Sequence, residues 1–131
     1  MIGLVVVTHA GLAQGLITSA TMITGEIPLC EAVGLHPEDP PDGLVQRIDQ
    51  ALERVGTDGA IIMTDMFGGT PSNTALSFLA EGRLEVVTGV NLPMLVEFCS
   101  RRERLTLEEL TASLLKSGRE SIIAAGEFLK I

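Results

Sequence analysis

Tryptophan and tyrosine are absent from this chain, and phenylalanine occurs only four times. A chain so poor in flat side chains offers few platforms for stacking a base or a flavin ring. Basic residues are scarce as well: 9 Lys and Arg stand against 17 Asp and Glu, a formal net charge of −8. That balance argues against DNA or RNA as a partner and suits a partner with a basic face. No Lys or Arg precedes Arg47, so the start has neither the positive region of a signal peptide nor the arginines of a transit peptide. No apolar run approaches the roughly 18 residues of a membrane span, so no direct membrane insertion is expected. The two cysteines, Cys30 and Cys99, lack CxxC spacing. They read as reduced, buried packing residues, and a cytoplasmic location follows as the default.

What is present is apolar and regularly spaced. Hydrophobic residues make up 46% of 131, enough for a single domain over residues 1–131 with a core of its own. Ile2–Val7 is a short, β-branched run of the kind buried on both faces of a sheet. Leu12, Leu16, Ile17, Ala20 and Ile23 follow at helical spacing and stop at Gly25. Ile27–Gly34 is a weaker strand. His36–Gly43 is a Pro/Asp loop, with His36 in solvent, Asp39 as a cap and Pro40 and Pro41 opening a helix. That helix shows Leu44, Ile48, Ala51, Leu52 and Val55, and ends at Gly56. Gly59–Thr64 is a third strand, and the loop Met66–Ser72 leads into a helix through about Ala80. Arg83–Thr88 is a fourth strand, and Asn91–Arg101 another helix. The Arg101–Arg104 cluster reads as a solvated helix end. Thr106 and Glu109 have capping-box spacing before the stripe Leu107, Leu110, Leu114 and Leu115. Ser121–Ala125 reads as a short final strand.

Strands alternating with helices predict an α/β fold, an open parallel sheet with helices on both faces. Ligands in such sheets bind at the carboxyl ends of the strands, where strand order reverses. Strand one ends in Thr8-His9, and strand three in Thr64-Asp65 followed by Phe67-Gly-Gly-Thr-Pro-Ser72. A 2-1-3-4 order would set His9 and Asp65 in one crevice. A neutral imidazole is a good nucleophile toward phosphorus, and a carboxylate on one nitrogen fixes the tautomer that presents the other. Gly68 and Gly69 leave backbone N–H groups unshielded. With Thr70 as N-cap and Pro71 at the first helical position, a helix N-terminus would face the crevice as an anion site. Thr70 and Ser72 add hydroxyls for phosphoryl oxygens. The candidate site has no further His or Cys, so no metal and no other cofactor are expected.

Three blocks of the sequence carry a family resemblance. Val5–Gly15, Asp65-Met-Phe-Gly-Gly-Thr-Pro-Ser-Asn73 and Thr88-Gly-Val-Asn-Leu-Pro-Met-Leu95 resemble the mannose-family EIIA domain of the bacterial sugar phosphotransferase system. The resemblance runs over nearly the whole chain. It implies that His9 takes a phosphoryl group from the phosphocarrier protein HPr at Nε2, with Asp65 holding Nδ1, and passes it to an EIIB component. It implies that Gly68, Gly69, Thr70 and Ser72 surround the phosphoryl group. It also implies a homodimer that exchanges a C-terminal antiparallel edge strand, placed at Ser121–Ala125. Two positions depart from the family: Ala10 stands where Gly is usual and Thr8 where Ser is common. With the chain stopping at Ile131, a free-standing EIIA is expected, serving sugar uptake or regulation. Other readings are a noncovalent nucleotide or flavin binder, a receiver phosphorylated on Asp65, and the EIIA-like subunit of a dihydroxyacetone kinase. The first lacks a GxGxxG or GxxxxGK[ST] loop. The second lacks the acidic cluster that would hold Mg²⁺. The third is typically fused to HPr-like segments.

Overall fold

A computed structural model of the chain describes residues 1–130. The elements alternate along it: β1 (Gly3–His9), α1 (Leu12–Thr24), β2 (Cys30–Leu35), α2 (Pro41–Val55), β3 (Ala60–Thr64), α3 (Thr70–Leu76), β4 (Leu84–Thr88), α4 (Leu92–Arg101), α5 (Leu107–Glu120) and α6 (Ala125–Leu129). The sheet is wholly parallel in the order β2-β1-β3-β4, as the alternation predicts. Its register sets Val7 beside both Val33 and Thr64, and Thr64 beside Thr88.

Because strand side chains alternate, the two central strands feed two cores. Leu4, Val6, Ile61 and Met63 face α1, α4 and α5, against Ala13, Ala20, Leu95, Phe98, Leu110 and Leu114. Val5, Val7 and Ile62 face the other way, against Leu44, Ile48, Ala51 and Val55 of α2 and Ala75 of α3. Each fully buried aliphatic side chain contributes about 1.5–3 kcal/mol of transfer free energy. Those contributions fix the register, since a one-residue slip would exchange the cores. Two glycines let backbone segments touch. A Cβ on Gly3 would lie 2.1 Å from the Val55 carbonyl oxygen, and one on Gly34 would lie 2.3 Å from that of Ala10.

Local details depart from the sequence reading. On α1 the sheet is met by Ala13 and Ala20, while Leu12 and Ile23 are exposed. Two alanines seven residues apart let the helix approach closely, with Leu16 and Ile17 packed partly buried against the same core. Asp39 caps no helix: its carboxylate accepts from the His36 N–H at 2.9 Å and from Arg47 at 3.2 Å, and Pro40 is the residue before α2. His36 is exposed, as expected. Gly69, not Thr70, precedes α3, which stops at Leu76. Beyond it Ser77, Phe78 and Leu79 continue as three-residue turns, and Ala80 bridges to Leu84. The capping box is present, with Thr106 and Glu109 each accepting from the other's backbone N–H. In the Arg101–Arg104 cluster, Arg102 is buried at 4% exposure. Both cysteines are free and half-buried rather than buried. Desolvation, with Cys99 second, pushes the Cys30 thiol up to about 12, which makes it an inert packing group.

The expected final strand is absent from the chain taken singly. Ser121 ends α5 in a turn, 122–124 lie outside helix and sheet, and Ala125 opens α6. An edge strand needs a neighbour, and within one chain this segment has none among the described residues.

Candidate phosphoryl-acceptor site

β1 is flanked by β2 and β3, so its carboxyl end lies where the chain reverses its strand order. His9 is the last residue of β1, and Asp65 follows β3 directly. One Asp65 carboxylate oxygen, Oδ2, accepts from the His9 backbone N–H at 3.0 Å and lies 2.8 Å from His9 Nδ1. The other, Oδ1, accepts from the Met66 N–H at 3.1 Å. Partial burial pushes the Asp65 carboxyl upward. The backbone and ring N–H of His9 outweigh it and hold the group below the usual carboxylate range. An ionised carboxylate only accepts, so the proton of the 2.8 Å contact sits on Nδ1, and in the neutral ring Nε2 carries the lone pair. The His9 side chain is 49% exposed and that of Asp65 only 13%, which leaves the imidazole open and the carboxylate sheltered.

The glycine loop lies against the imidazole. A Cβ added to Gly69 would stand 3.1 Å from His9 Cε1 and 3.7 Å from Nε2, so only glycine fits beside the ring without pushing it. Gly68 has φ +86°, a conformation that side chains disfavour. The Asn73 N–H donates to the Gly69 carbonyl at 2.9 Å and secures the loop to the first turn of α3. Thr70 is exposed beside this loop. Ser72 is not: its side chain is fully buried, and its hydroxyl has no partner among the described residues. The N–H groups of Thr70 and Ser72 belong to the first turn of α3 and have no acceptor within the helix.

Thr8, noted in the sequence only as the neighbour of His9 and a departure from the family, supports the site. Its hydroxyl accepts from the Ala13 N–H at 2.8 Å and donates to the His9 carbonyl at 3.1 Å, tying the end of β1 to the start of α1. No cap pattern announces it, because the bond runs five residues rather than two or three. Ala10 takes a left-handed φ of 49°, and its N–H donates to the Leu35 carbonyl at 2.7 Å. Among the described residues no group of three His, Cys, Asp or Glu is placed to hold a metal ion.

The family model described as "PTS system fructose IIA component", PTS being the phosphotransferase system, matches residues 3–115. The chain belongs to this family. This EIIA chain is 34% identical over 132 residues to the fructose-specific EIIA component of Bacillus subtilis strain 168, covering 99% of the chain and 90% of that protein. It is 31% identical over 126 residues to the mannose-specific EIIAB component of Escherichia coli K12, covering 94% of the chain and 39% of that longer protein. A solved PTS IIA protein associated with the fucose utilization operon of Streptococcus pneumoniae superposes with a TM-score of 0.85 at 29% identity. That superposition covers 97% of this EIIA chain and 95% of the other. No described helix is long and apolar enough to cross a membrane.

Proposed function

We propose that this EIIA component is a covalent phosphocarrier that accepts a phosphoryl group from phospho-HPr on His9 and hands it to an EIIB component in the cytoplasm. The observation that carries the reading is the 2.8 Å contact between His9 Nδ1 and Asp65, which leaves Nε2 free on an open surface. The Nε2 lone pair forms the bond to phosphorus. The bond from phosphorus to the donor breaks, and its electron pair leaves with the donor. The Nδ1 proton stays where it is, and Asp65 stabilises the positive ring that results. Gly68 and Gly69 give the phosphoryl oxygens room, while the Thr70 hydroxyl and the free N–H groups of Thr70 and Ser72 are their donors. Ser72 serves through its backbone, because its hydroxyl is enclosed. Transfer to EIIB reverses these steps.

Incubation with phosphoenolpyruvate, Enzyme I and HPr is expected to add one phosphoryl group, labile to acid and stable to base. His9→Ala is expected to abolish the gain in intact mass. Labelling of that variant would overturn the assignment.

A homodimer belongs to the same proposal. Ile122 and Ile123 are 81% and 53% exposed, and Phe128 and Leu129 of α6 are 67% and 60% exposed. β4 is an edge strand, and a groove of about 320 Å³ runs beside it from Val86 to Asn91 and on to Ile122. Exchange of the 121–125 segments between two copies would cover both features.

A further inference from the structure

Arg102 departs most from its expected place, and nothing in the phosphoryl site uses it. It follows Phe98 by one helical turn, and its guanidinium carbon lies 4.8 Å from the centre of that ring. Nε donates to the Ile2 carbonyl at 3.1 Å, its one hydrogen bond among the described residues. Nη2 is enclosed and has no acceptor. No described carboxylate forms an ion pair with it, although its residue is only 4% exposed. Burial pulls its pKa below the ordinary arginine value. A guanidinium stays charged in proteins, and this sheltered one has no described carboxylate in ion-pair contact; Glu103, its chain neighbour, acts on it only through space.

Beside Arg102 opens a cavity of about 140 Å³, walled by Ile27, Pro28, Thr24 and Cys99, with Glu26 and Glu103 also lining it. It lies at the amino end of the sheet. The seven residues of β1 separate it from His9 by about 20 Å at about 3.3 Å per residue.

We propose that this cavity binds a small organic monocarboxylate, with Arg102 as the anion anchor and Ile27 and Pro28 packing on the apolar part of the ligand. Nε is held by the Ile2 carbonyl and Nη2 is enclosed, so Nη1 is the guanidinium nitrogen left to donate to a carboxylate oxygen. The two glutamates weigh against a multiply charged ligand such as phosphate. At about 30 Å³ per water the space equals four to five waters, which suits an acid of a few carbon atoms. The proposal does not depend on the chemistry assigned to His9.

The test is a nitrogen-15 NMR titration of the whole chain with sodium propionate, with sodium chloride and inorganic phosphate run separately at matched ionic strength. Propionate is expected to shift the Arg102 Nε–H and the Thr24 and Cys99 amide signals saturably, and to slow alkylation of Cys99 by iodoacetamide. Arg102→Gln is expected to weaken binding at least tenfold. If that variant fails to fold, Cys99→Leu, which fills the cavity and leaves Arg102 in place, is expected to remove the saturable shifts. Shifts that do not saturate, that chloride reproduces, that map only to the His9 loop, or that phosphate produces at lower concentration than propionate would each overturn the proposal.

Discussion

At His9, Asp65 pairs with ring nitrogen Nδ1, and this pairing has a pH signature. The Asp65 carboxyl is held below its free value of about 3.9. A depressed folded-state pKa brings stability that is complete above the unfolded value and is lost as pH falls through the folded one. Asp65→Asn is therefore expected to lower the urea midpoint above pH ~4, with the gap to wild type closing below that. A gap that persists undiminished to the most acid pH tested would count against the pairing. Next to it, Ala10 carries a left-handed φ of 49°. Relief of strain outweighs the added chain entropy of glycine, so Ala10→Gly is expected to stabilise by about 0.5 kcal/mol in urea unfolding. The residue types at the site were legible because His, Asp and paired glycines are scarce and stand where strands end. The burial of Ser72 and Arg102 was not, because each side chain's surroundings come from segments remote in sequence.

Two glycines let backbone segments touch, one beside the site and one far from it. Gly34 of β2 touches the Ala10 carbonyl, and Gly3 of β1 touches the Val55 carbonyl at the opposite end of the sheet. Adding a methyl group at either place forces backbone apart, at a cost of about 2–3 kcal/mol. Gly34→Ala and Gly3→Ala are expected to lower stability by similar amounts in urea unfolding. Only Gly34→Ala should also slow phosphoryl uptake, because only it displaces the strand end that carries His9. Equal labelling rates in the two variants would show that the β2 contact does not position the histidine. Element order and type were legible through α5, since each strand and helix keeps its own hydrophobic period, but at the C-terminus a helix, α6, begins where the expected strand would end. Element ends were less so: α3 stops at Leu76, where three-residue turns and the Ala80–Leu84 bridge take over.

On the scale of the whole molecule, the chain leaves an unpaired β4 edge and an apolar C-terminal segment beside it. Sedimentation at micromolar concentration is expected to give twice the chain mass of 13.9 kDa. Ile122→Asp combined with Ile123→Asp should shift that equilibrium toward monomer, and a wild-type monomer would rule the dimer out. By itself, the sequence determined the alternation of strands and helices, the two-sided burial of β1, and the residues at the strand ends. Those follow from period, turn chemistry and composition, all of which act locally. Only the tertiary structure decided which residues meet. Strand order brought His9 to Asp65, the loop after β3 set Gly69 against the imidazole, and helix packing drew Arg102 inward beneath Ile2. Such contacts join positions 56 to 100 residues apart. No local pattern encodes them, because each depends on how the entire sheet and its helices close.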